Sequence, residues 1–165
     1  AAIKWFQNVI DKYPEADISI EAAYGKITAL KDLKRYEEAE KAGRDFITRY
    51  KENPKFVILP AEIQIILGDI RFDTQDYLAA AKEYLNVESD YPDLPEFASP
   101  KCRSMLKAGN AYYKAAEGQD WDQELMTKAI SLYEKLIDDY GDLESLSGFI
   151  KTAKNGIDMA RAKLR

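Results

Sequence analysis

The sequence predicts an all-α fold built as a stack of helix pairs, on three observations. One apolar ladder recurs four times along the chain. Proline and glycine are sparse, at six and eight in 165 residues, and cluster as expected of long helices with punctuated turns. Valine is scarce and alanine common, which argues against sheets.

The ladder is clearest in "DYLAAAKEYLNVESDYP". With Ala80 as origin, Tyr77 lies three before it, Tyr84 four after, Val87 seven after and Tyr91 eleven after, with Pro92 next. Intervals of three, four and seven mark one face of a helix. Proline ends it, lacking an N–H and disfavouring helix at the preceding residue. From Ala2 the same ladder gives Phe6, Val9, Tyr13 and Pro14. From Ala39 it gives Tyr36, Phe46 and Tyr50, with Pro54 three residues late. From Ala129 it gives Tyr133, Leu136 and Tyr140, then Gly141 in place of proline.

Each complete ladder follows another helical segment: "EAAYGKITALKDL", "AEIQIILGDIRF" and "SMLKAGNAYYKAAEG". The unit is therefore a first helix with a small residue, a turn, and a ladder helix. Small residues such as Gly68 with Ala80, or Gly109 with Ala129, let paired helices approach, and the rings fill the space to the next pair.

On these residues the chain resembles the tetratricopeptide repeat family, whose unit is about 34 residues. "ILGDIRF…DYLAAAKEYLNVESDYP" carries the Leu-Gly and aromatic of the first helix and the Ala, aromatic and Pro of the second. Ile27 departs from the pattern where a small residue is expected, as does Gly141 where proline is expected. The ladder origins are 37, 41 and 49 residues apart, so the linkers carry insertions. The "YP" endings and "MLKAGNAYYK" are similar to the bacterial envelope subtype, the periplasmic repeat proteins of the Tol–Pal system and the lipoprotein of the outer-membrane β-barrel assembly machinery.

The resemblance implies a right-handed α-α superhelix of about three and a half helix pairs plus a C-terminal helix. Residues 1–165 are expected to form one domain, with 1–14 the second helix of a truncated repeat, repeats at 17–54, 59–92 and 100–141, and a capping helix at 144–164. Helices are expected near 1–13, 17–32, 35–51, 59–73, 76–91, 100–116, 123–140 and 144–164. Ser99-Pro100 reads as a helix start, with a capping hydroxyl and a proline at the first helical position. The opening "AAIKWFQNVIDKYP" reads as the middle of a helix, as in a fragment of a longer protein.

Composition narrows the function. Hydrophobic residues at 46% and charged residues at 32% support a packed core. Net charge is −5, a poor start for binding a phosphate backbone, and the basic group Lys31, Lys34, Arg35, Lys41 and Arg44 is interleaved with Glu37, Glu38 and Glu40. With no histidine, catalysis by Ser-His-Asp or Cys-His is excluded, as is every histidine-containing zinc site. The single cysteine, Cys102, forbids a disulfide within the chain. It lies between Lys101 and Arg103, neighbours that could activate a thiol, although a small structural residue is the plainer reading. No apolar run approaches the ~18 residues that span a bilayer. The acidic groups Asp90, Asp93, Glu96 and Asp138, Asp139, Asp142, Glu144 lack the alternation of a calcium loop and read as solvated loops. No catalytic residue, metal or cofactor is expected.

First helices of such pairs line a concave groove. Its inward positions are Glu21, Tyr24, Thr28 and Lys31 on one helix, then Glu62, Ile65, Asp69 and Phe72, then Arg103, Leu106, Asn110 and Tyr113, with Ile150, Ala153 and Ile157 extending the row. Rings and aliphatics would anchor a protein or peptide, and Asp69, Arg103 and Asn110 would set specificity. The bland alternative is that several of these are core. A clamp for a terminal carboxylate is disfavoured, since only Asn110 matches and Asp69 would repel it. Trp121, in the long turn of the last pair, is a hot-spot candidate if exposed. The expected role is a non-enzymatic scaffold docking a partner in a bacterial envelope assembly, in the periplasm or at the outer membrane as the resemblance implies. The rivals are self-association through the N-terminal helix and a regulatory repeat segment of a larger enzyme or receptor.

Overall fold

The computed structural model describes residues 1–14 and 16–164. Among them are eight α-helices and no strand: α1 (Ala2–Lys12), α2 (Asp17–Asp32), α3 (Tyr36–Tyr50), α4 (Ile58–Asp73), α5 (Tyr77–Asp90), α6 (Ala98–Glu117), α7 (Gln123–Tyr140) and α8 (Ser147–Lys163). Short 3-10 turns at Pro95–Phe97 and Glu144–Leu146 lead into α6 and α8. The helices expected from the ladder are all present, with ends within three residues of expectation. The chain divides into two compact units, Ala1–Ile70 and Arg71–Arg165.

Two helix starts differ from the sequence reading. Ser99 does not cap α6: the helix begins at Ala98, directly from the 3-10 turn, and its N-cap Phe97 makes no side-chain cap hydrogen bond. Phe97 is buried, so its burial rather than a hydroxyl fixes the entry, and Pro100 falls in the first turn where no N–H is missed. Likewise α8 starts at Ser147, because Glu144–Leu146 winds more tightly and buries Leu146.

The tight turns inside the helix pairs use residues other than glycine. Lys34 and Gln75 adopt left-handed φ of 57° and 63°. Beyond them the Arg35 N–H donates to the Leu30 carbonyl, and the Asp76 N–H to the Arg71 carbonyl, both at 2.9 Å. This six-to-one bond is the Schellman closure, normally made with glycine at the left-handed position. A side chain there costs roughly 1–2 kcal/mol.

In the first unit α2 packs on α1 and α3. Ile20, Ile27 and Leu30 from α2 meet Ala39 and Phe46 from α3 and Ile63, Ile66 and Ile70 from α4. Gly43 lets α3 close on α4, since a Cβ there would lie 3.0 Å from Leu67 Cδ2. Ile27, which departs from the family pattern, is a fully buried core residue. The buried Ser19 hydroxyl donates to the Tyr13 carbonyl and so ties α2 to the end of α1. Ala2, the first ladder origin, is exposed, and α1 buries none of its residues.

In the second unit α6 packs against α5, α7 and α8. The ladder residues Ala80, Tyr84, Val87, Ala129, Tyr133 and Leu136 are all buried. The Tyr133 ring is seated between two glycines: a Cβ on Gly109 would lie 2.4 Å from its Cε1, and a Cβ on Gly156 2.8 Å from its Cε2. Its hydroxyl donates to Asn110 Oδ1 at 2.7 Å, so the polar end of the ring is satisfied where the body is dry.

Replacing Gly109 by alanine sets a helix-propensity gain of about 1 kcal/mol against an overpacking cost of about 1–3 kcal/mol. Because the ring is rigid and held on two sides, it cannot move aside, and overpacking outweighs the gain. Urea unfolding should show G109A less stable by about 1–2 kcal/mol, whereas G148A, whose new methyl meets nothing within 4 Å, should not be destabilised.

Candidate docking surface

The groove positions expected from sequence divide between the two units. In the first, Tyr24, Thr28 and Lys31 are half-buried along α2. Tyr24 packs against the unit's core, and the Thr28 hydroxyl donates to its carbonyl at 3.1 Å. On α4, Glu62 and Asp69 are half-buried, but Ile65 is only 3% exposed. In the second unit Arg103, Tyr113 and Phe72 are half-buried and Asn110 is exposed, while Leu106 is 7% exposed.

Ile65 and Leu106 are thus core rather than open anchors. Leu106 belongs to the same buried cluster as Cys102, Tyr133, Ile150, Ala153 and Ile157. The last three, expected to extend the groove, instead join α8 to the core. The cause is the α8 backbone, brought close by Gly156 under the Tyr133 ring, which covers the position where a groove would continue.

What stays partly open in the second unit is a set of rings. Phe72 meets Tyr77 edge to face at 5.0 Å, and Tyr113 meets Trp121 edge to face at 5.6 Å. Tyr77, Tyr113 and Trp121 all rest on one small cluster formed by Ala115, Ala116, Leu125, Met126 and Ala160. Trp121 is placed by an unusual turn, in which it and Asp120 both have left-handed φ, 64° and 53°. The N–H groups of Trp121 and Asp122 donate to the Ala116 carbonyl, and Asp122 then caps α7 by accepting from the Leu125 N–H at 2.9 Å. The Lys163 ammonium lies 4.3 Å from the centroid of the Trp121 ring, within cation–π range. The sequence reading singled out Tyr113, Phe72 and Trp121. It missed that Lys163, far along the chain, covers a face of the indole, because nothing in the local pattern of α8 signals it.

At the opposite end of α6 and α7 lies a cleft of about 550 Å³. Glu88, Asp93, Asp139 and Asp142 line it with Lys101 and Lys135, beside Leu94, Leu143 and the Tyr140 ring. Lys135 bridges Glu88, at 3.0 Å, and Asp139, and these carboxylates hold its ammonium above the ordinary lysine range. Burial, with Glu88 and Asp139 nearby, pushes the Tyr140 phenol up to about 12. Acidic residues read from sequence as solvated loops are therefore gathered around one concavity. Among the described residues no group of three or more histidine, cysteine or acidic side chains could hold a metal ion.

The chain matches no protein-family model and no curated protein.

Cys102 is fully buried, and desolvation pushes its thiol up to about 11, against any activation by Lys101 and Arg103. A raised pKa leaves less thiolate at any pH below it. At pH 8, thiol labelling of the native chain should therefore run at least about tenfold slower than in denaturing urea.

Proposed function

We propose that this chain is a non-enzymatic docking module of tetratricopeptide type, a right-handed stack of helix pairs that holds a protein or peptide on its first-helix faces. The ring set of Phe72, Tyr77, Tyr113 and Trp121 carries the reading. Three half-buried rings on one alanine-rich bed, with Phe72 edge-on to Tyr77, offer large contact area at small entropic cost, the composition of interface hot spots. Asn110 and Arg103, on the same helix as Tyr113, supply polar groups that set register. The four ladders and their bacterial-envelope resemblance support a setting in an envelope assembly, with the partner supplied from outside the chain.

A second reading has its own observation. Trp5, in a helix with no buried residue, is 58% exposed and packs only edge-on against Phe6 among the rings. An exposed indole on an otherwise packed unit suits association of two copies through α1.

Peptides selected by display on the wild-type chain should bind a Phe72→Ala/Tyr113→Ala variant at least about tenfold more weakly. Equal affinity in a variant whose helical circular dichroism is unchanged removes the ring set as the binding surface. For self-association, sedimentation should show a mass that rises with concentration and a rise that Trp5→Ser abolishes. A constant mass leaves peptide docking as the reading.

A further inference from the structure

Two loops of the second unit are copies of each other, 49 residues apart. Tyr91-Pro92-Asp93-Leu94 corresponds to Tyr140-Gly141-Asp142-Leu143. Each is followed by a 3-10 turn, Pro95–Phe97 and Glu144–Leu146, and then by a helix, Ala98–Glu117 and Ser147–Lys163. Both loops line the 550 Å³ cleft. The correspondence extends to burial, since Phe97 and Leu146 are equivalent and both lie in the core.

One difference between the copies concerns the partner of the aspartate. In the first, Asp93 accepts a hydrogen bond from Lys101, whose side chain is only 3% exposed although Asp93 is almost wholly in solvent. That ammonium holds the Asp93 carboxyl below its ordinary range. The residue equivalent to Lys101 in the second copy is Ile150, which is buried and carries no charge. Asp142 is thus the partner-bearing carboxylate of the repeat without its cation, and it makes no ion pair among the described residues.

The rest of the cleft favours a particular cation. Four carboxylates face two lysine ammoniums, leaving two negative charges in excess. Both lysines are already engaged, Lys101 by Asp93 and Lys135 by Glu88 and Asp139. The second oxygen of Glu88 is shut off from solvent and accepts no hydrogen bond. Leu94 and Leu143 stand 47% and 42% exposed at the cleft, a high exposure for leucine, and Tyr140 adds a ring face. An arginine side chain meets each demand: an aliphatic stem for the leucines, a planar guanidinium for the ring, and several N–H donors for carboxylates. The volume is ample, within the range of small-ligand pockets.

We infer that this cleft receives an arginine side chain of a partner peptide, with Asp142 as its principal carboxylate. The site lies at the end of α6 and α7 opposite the ring set and does not depend on it.

The test uses the full chain and a fluorescein-labelled pentapeptide alternating glycine and arginine, read by anisotropy. Its counterpart with citrulline, of the same shape but uncharged, should bind about tenfold more weakly or worse. Asp142→Asn should weaken the arginine probe about tenfold, and Lys135→Gln, which adds to the excess negative charge, should tighten it. Both positions are exposed, so folding is not at issue, and the Phe72→Ala/Tyr113→Ala variant should bind this probe as the wild type does. Glu124→Gln, an exposed acid at the far end of α7, serves as the control for non-specific attraction. Equal binding of the citrulline peptide overturns the inference, as does a Glu124→Gln effect as large as that of Asp142→Asn. Inorganic phosphate shifting the amide NMR signals of Asp142 and Leu143, where methylguanidinium does not, overturns it as well.

Discussion

The seating of Tyr133 between Gly109 and Gly156 is the constraint on which the second unit depends. A ring that approaches two backbones this closely can be accommodated only where neither carries a Cβ. Three helices are therefore positioned by one side chain: α7 carries it, and α6 and α8 close on its two faces. Interior packing at near-crystalline density makes such a contact intolerant of even a methyl group. The hydroxyl's bond to Asn110 anchors the far end of the ring. The first unit uses the same device twice with other partners, Phe6 above Gly25 and Leu67 beside Gly43.

From this packing follows the division between core and surface on α6. Once α8 is drawn in, Leu106 is enclosed with Ile150, Ala153 and Ile157, and only residues at the margins of that contact remain accessible. Two candidate surfaces lie at the two ends of α6 and α7. One end carries rings on alanines, with the strained turn of Asp120 and Trp121 presenting the indole. The other carries the charged cleft between the two repeated loops. Apolar contact area and unbalanced charge are thus separated along the same pair of helices, which suits recognition of two different features.

Much of the secondary structure was legible because it rests on short-range geometry. A helix that buries one face must repeat at three and four residues, and the ladders recorded this well enough to place eight helix spans. Tyr84, Val87, Tyr133 and Leu136 were identifiable as buried for the same reason. The candidate site was less legible. Tyr113, Phe72 and Trp121 could be singled out by type and register, but Ile65 and Leu106 occupy positions of the same register and are core. Register states which face a residue is on. It does not state whether another helix lies over that face.

The sequence by itself determined the all-helical character, the ladder faces and the exclusion of histidine chemistry, since each is a property of residue identity or of local spacing. Tertiary structure alone decided which groove positions stay open, that Lys163 covers Trp121, and that Asp93 has a cation while its repeat equivalent Asp142 does not. Those outcomes join residues far apart in the chain, and their energies depend on distance and on exclusion of water, neither of which exists until the helices have packed.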